Sequence, residues 1–134
     1  MNYVKLYLLT AVAFFAIDFV WLTRIAAGFY ERHIGQLLRA EPVVTAAVGF
    51  YALYLAGIVV FAVLPGLEAG SLARSAVLGG FLGLVAYATF DLTCMALFTG
   101  FPWIVVAVDL VWGTVLTATV ASAGFGIGRW LGMG

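Results

Sequence analysis

Four apolar runs of about 20 residues or more decide what this chain can fold into, since 20 helical residues at about 1.5 Å each cover about 30 Å of hydrocarbon. They occupy residues 4–23, 43–64, 72–98 and 103 to about 124 of the 134. Four spans fit that length and six do not. Backbone polar groups in lipid must be satisfied within their own segment, so each run predicts a helix. The expected fold is an all-α, four-helix transmembrane bundle, one integral membrane domain over residues 1–134. Composition agrees, with 66% hydrophobic and 9% charged residues against roughly 25% charged in a soluble domain. Residues 4–23 read as a retained span rather than a cleaved signal peptide, because Lys5 alone is a thin positive region and Ala11-Val12-Ala13 is followed by more apolar sequence.

The connections are short. Pro65-Gly66 is expected to break the second helix, Thr99-Gly100-Phe101-Pro102 to form a tight hairpin, and Gly124, Gly126 and Gly128 to fray the fourth. Only the stretch from Arg24 to Glu41 is substantial. On a 3.6-residue wheel Ile25, Phe29, Tyr30, Ile34, Leu37 and Leu38 share a face, with Arg24, Glu31, Arg32, Gln36 and Arg39 largely opposite. That pattern predicts an interfacial amphipathic helix over about 25–40. It either rests on the lipid as a linker or covers a site as a lid carrying Tyr30, Glu31, Arg32 and His33.

Six Lys plus Arg balance six Asp plus Glu, so nothing points to nucleic acid as a partner. Lys5, Arg74 and Arg129 flank one side and Arg24, Arg32 and Arg39 the other, so the positive-inside count ties; Glu31 and Glu41 tip it toward the ends inside. The one cysteine, Cys94, excludes an intramolecular disulfide.

Three of the six acids, Asp18, Asp91 and Asp109, fall inside spans. Each costs about 2.5 to 3.5 kcal/mol at a helix centre on insertion scales, and no Lys or Arg lies deep enough to pair with them. Acids so placed point to a functional site. Asp18 stands six residues before Arg24, Asp109 six after Trp103 and Asp91 eight before Thr99. These are depths of about 9, 9 and 12 Å from one face, so all three belong to one leaflet, on the side of the amphipathic connection.

Residues 16–23 (AIDFVWLT) and 107–114 (AVDLVWGT) match at five of eight positions, including the Asp and the Trp three residues on. Asp and Trp at that spacing share a helix face. Antiparallel helices would then set Asp18 and Asp109 level, with Trp21 shallower and Trp112 deeper, as an acidic waist between indole walls. Asp91, Thr93 and Cys94 join from the third helix. The ligand-binding candidates are Asp18, Trp21, Asp91, Thr93, Asp109 and Trp112. The bland reading makes the acids interhelical glue, Cys94 a small core residue and His33 an interfacial side chain. Gly79-x-x-x-Gly83 and Gly124-x-x-x-Gly128 allow close packing inside the bundle or in a homodimer. No Gly-rich phosphate loop, His-x-x-x-His, Gly-x-Ser-x-Gly or Cys pair occurs, so neither a cofactor nor a metal is expected.

Through Asp18-x-x-Trp21, Phe90-Asp91-Leu92-Thr93-Cys94 and Asp109-x-x-Trp112-Gly113-Thr114 the chain resembles a bacterial family of small four-span membrane proteins whose domain has no assigned function. The resemblance covers nearly the whole chain. It implies the four-helix fold, a multi-pass place in the bacterial inner (cytoplasmic) membrane, and the acids as the site. Helix three in that family usually reads Tyr-Asp-Leu-Thr-Asn, so Phe90 and Cys94 give this member a drier version. Three functions compete. The first is binding or transport of a proton, a cation or an amphipathic cationic ligand, with Trp21 and Trp112 supplying cation-π contacts. The second is a membrane enzyme acting on a lipid or isoprenoid through paired acids. The third is an accessory subunit of a larger membrane complex.

Overall fold

The helices stand where the apolar runs stand. In the computed structural model, which describes residues 2–134, α1 (Asn2–Trp21) passes through a π-helical turn (Leu22–Ala26) into α2 (Ala27–Ile34) and a 3₁₀ turn (Gly35–Leu37). After an extended stretch, α3 (Val44–Ile58) runs through a second π-helical turn (Val59–Val63) into α4 (Leu64–Ala69), followed by α5 (Leu72–Leu97) and α6 (Trp103–Trp130). The four continuous columns, Asn2–Leu37, Val44–Ala69, Leu72–Leu97 and Trp103–Trp130, are each long and apolar enough to cross a membrane. No strand occurs among the described residues. Large apolar side chains cover the outside, Leu53 at 76% and Trp130 at 79% exposure, a surface that suits lipid and not water.

Small residues set the packing, as expected where lipid supplies no hydrophobic drive between helices. A Cβ on Gly83 would stand 2.1 Å from the Gly113 carbonyl oxygen, and one on Gly79 2.8 Å from that of Thr117, so α5 and α6 approach backbone to backbone. Gly124 and Gly128 bring α6 onto Val63 and Leu67, whose side chains would meet a Cβ at 2.7 and 2.4 Å. Both glycine pairs therefore pack against other helices of the same chain. Leu6, Phe14, Leu55, Ile58, Val63, Leu116 and Val120 fill this half of the bundle, all but excluded from solvent.

Three boundaries differ from the sequence expectation. Pro65 does not break the second column: the π-helical turn before it, with Leu64 N donating to the Val59 carbonyl, takes up the irregularity. Ser75 adds a bond from its hydroxyl to the Ala62 carbonyl at 2.9 Å. The column ends instead at Gly70, whose φ of 63° is the left-handed conformation glycine adopts at little cost. The fourth helix runs on to Trp130 because Gly124 and Gly128 are held by packing rather than left to fray.

The third difference concerns the connection after α1. Residues 22–37 extend α1 as one continuous helix instead of starting a separate one, and the chain from Leu38 is extended, so helix does not reach residue 40. The π-helical turn also changes which face points inward. Burial runs through Leu6, Thr10, Phe14, Asp18 and Trp21, then steps five residues to Ala26 and continues at four-residue spacing to Tyr30 and Ile34. An extra residue in one turn rotates the remainder of the helix by about 100°. Ile25, which the regular wheel puts on the apolar face, is accordingly 53% exposed.

Candidate functional site

All four columns send polar side chains to the end of the bundle that holds α2 and the α5–α6 turn. The backbone periodicity places Asp18 (6% exposed), Asp91 (1%) and Asp109 (8%) on the inward faces of α1, α5 and α6. They form two groups. The Tyr30 hydroxyl of α2 donates to Asp109 Oδ1, and the Asp91 carboxyl is the neighbour of Asp109, its Oδ2 without a hydrogen-bond partner. On the other side the Tyr51 hydroxyl of α3 donates to Asp18 Oδ2 at 3.1 Å. The Trp112 indole is directed toward Asp18 without closing a bond, its Nε1 buried and unpartnered.

Trp21 and Trp112 join the two groups by stacking on each other, centroids 4.3 Å apart and planes within 8°. This corrects the expected bracket of indoles above and below the acids. Helical side chains lean toward their own N-terminus, so on antiparallel helices the two indoles lean together. Each covers a face of the other, and neither lines the apolar cleft that opens beside Asp109. Trp21 also meets Tyr30 edge-on, at 6.5 Å between centroids.

Other candidates are not brought in. Thr93 is exposed on the outer face of α5, since two residues from Asp91 is about 200° round the helix. Of the four lid residues only Tyr30 reaches the acids: Glu31 and Arg32 are exposed, and His33 lies against Phe29 at 4.7 Å. No group of three or more His, Cys, Asp or Glu among the described residues is arranged to hold a metal ion.

Tyr51, Tyr54 and Tyr87 belong to the interior and sequence reasoning missed them. Tyr54 and Thr117 share a hydrogen bond of 2.7 Å, and the Tyr87 ring fills the space left by the absent side chain of Gly113. A signal was present. A tyrosine within an apolar span carries a hydroxyl that needs a partner, and Tyr87 precedes Asp91 by one helical turn.

The cleft beside the Asp91–Asp109 pair has a volume of about 880 Å³, within the roughly 300–1,000 Å³ typical of ligand sites. Its walls are apolar, from Leu22, Ile34, Leu37, Phe50, Phe90 and Phe98 among others, and its polar lining is Tyr30 and Asp109, with Cys94 beside them. Cys94 is 8% exposed and is the only cysteine, so it reports on the cleft. Replacing Tyr30 by Phe removes the bond that ties α2 to Asp109. Modification of Cys94 by a small maleimide is then expected to run several-fold faster; an unchanged rate would mean that this bond does not hold α2 over the cleft.

The arrangement can hold a proton or a cation between two carboxyls, since two charged carboxylates in contact repel. It presents one of the two, Asp109, to an apolar space. Neither a curated protein nor a solved structure matches the chain. The family model described as "Predicted membrane protein (DUF2177)" matches residues 3–126, and the chain belongs to that family.

Proposed function

We propose that this membrane protein binds an amphipathic ligand with a cationic head, taking the tail in the apolar cleft and the head at Asp109 and Asp91. The observation that carries the reading is Asp109 itself: a carboxyl in the wall of an otherwise apolar cleft, with a second carboxyl behind it and no basic side chain beside it. All six basic side chains are exposed. An acid there is costly in lipid, and a cation brought by a ligand offsets that cost. The far half of the bundle, packed by Leu6, Val63, Leu116 and Val120, supports exchange at one end rather than passage through. The stacked Trp21 and Trp112 position the acids in this reading and do not touch the ligand.

The test uses protein reconstituted in nanodiscs of zwitterionic lipid. A dodecyl-chain ammonium ion is expected to raise the unfolding midpoint well beyond the effect of dodecanol at equal mole fraction. Asp109→Asn removes most of that gain. A cation and a proton compete for the same oxygens, so the gain shrinks from about pH 9 to about pH 5. Equal shifts by dodecanol and the ammonium ions, or a gain that ignores both pH and Asp109→Asn, would end the reading.

A further inference from the structure

We propose that the ligand is resident in the bilayer, a long-chain alkylammonium whose tail leaves the cleft past Phe50 and lies in a lipid-facing furrow between α3 and α5. This rests on the reading that a cationic amphiphile binds at Asp109, and adds where the tail goes and from which solvent the ligand comes. The furrow, of about 500 Å³, is lined by Leu53, Ala56, Gly57, Val60 and Phe61 of the second column and Leu82 of α5. Phe50 lines both spaces, so the furrow begins where the cleft ends. The packing explains why it is open. α5 lies against the π-helical turn Val59–Val63 and α4, where Ser75 reaches the Ala62 carbonyl, but it scarcely touches α3. Tyr54 lies edge-on to Tyr87 at 6.5 Å between centroids, with its hydroxyl bonded to Thr117, which leaves the furrow apolar. Leu53, Val60 and Phe61 are exposed to lipid along its walls.

The dimensions suit one chain of a membrane lipid. Phe50 stands six residues into α3 and Asp109 six into α6, each about 9 Å from the same end of the bundle. Phe61 is eleven residues further down its column, about 16 Å. One leaflet of hydrocarbon is about 15 Å, half of the core. A leaflet-length chain with its head at Asp109 therefore fills the furrow end to end. Lipid is as apolar as the furrow, so the tail itself gains little by moving there. Affinity comes from the charge complementarity at Asp109, and the furrow decides which chains can bring a head to it. A short chain ends within the cleft.

Gly57 supplies the test. A Cβ there would meet only the Phe61 ring, at 3.9 Å, so Gly57→Leu puts a side chain into the furrow without straining the bundle. Gly49→Leu is its control, since nothing lies within 4 Å of a Cβ there and Gly49 lines neither space. In the same nanodiscs, hexadecylammonium and hexylammonium, each read against its own alcohol, are compared by the mole fraction that gives half of the maximal rise in unfolding midpoint. Gly57→Leu is expected to raise that mole fraction about tenfold for hexadecylammonium, as overpacking an occupied space does, and to leave hexylammonium unchanged. Gly49→Leu alters neither. Ala56→Leu, on the same wall, takes the place of Gly57→Leu if that variant does not fold. No effect on the long chain, an equal loss for both chains, or an equal loss in Gly49→Leu overturns this inference and leaves the cationic-amphiphile reading standing. No advantage of either ammonium ion over its alcohol overturns both.

Discussion

Gly83→Ala is expected to destabilise the protein by about 3 kcal/mol, the upper range for overpacking a tight interior. The added methyl would sit 2.1 Å from the Gly113 carbonyl oxygen and 2.8 Å from its carbon. Those are backbone atoms of α6 and cannot swing aside as a side chain can. Relief requires α5 and α6 to separate along their most extensive contact, which Gly79 makes tighter one turn earlier. Moving α6 also moves Asp109 relative to Asp91. Gly126→Ala is the matched comparison: nothing lies within 4 Å of a Cβ there, and exchanging Gly for Ala inside a helix gains up to about 1 kcal/mol. Thermal unfolding of the two variants in the same detergent reads the difference directly. Similar midpoints for both would mean that the α5–α6 seam tolerates widening.

The four helices were legible because lipid leaves the backbone few choices, and apolar length alone marks a span. The acids were legible for a related reason: Asp18, Asp91 and Asp109 stand out where burial without a partner is expensive. What the sequence hid is rotational. The π-helical turn over Leu22–Ala26 has no residue signature, yet it decides that Ala26 and Tyr30 point inward and that Ile25 points out. Pro65 misled for the converse reason, because a helix in lipid can pass a proline when a widened turn precedes it. The Asp-x-x-Trp repeat located two indoles on the right faces. Only the opposed lean of side chains on antiparallel helices shows that they stack on each other rather than on a ligand.

Asp91→Asn is expected to make the protein more stable and less able to bind, and the sign of the stability change separates a ligand site from interhelical glue. At alkaline pH, where no proton bridges the pair, Asp91 and Asp109 set acceptor against acceptor, and Asp91 Oδ2 has no partner at all. An asparagine of nearly the same shape supplies an N–H to the Asp109 carboxyl. A hydrogen bond to a charged group contributes about 1.5 kcal/mol or more, and one acid fewer has to be kept in lipid. If Asp91 were holding helices together, the same change would lower the unfolding midpoint, because its present bonds would be lost. Ligand binding moves the other way. A saturating amphiphile at about 100 times its dissociation constant adds about 2.7 kcal/mol to a competent site, and Asp91→Asn, which removes the charge behind Asp109, should forfeit part of what a dodecyl-chain ammonium ion gains over dodecanol. A protein that keeps an unpartnered acid where an amide would be more stable holds stability in reserve for whatever brings the missing donors. A lower midpoint in Asp91→Asn with an unchanged gain from the ammonium ion would assign the pair to structure instead.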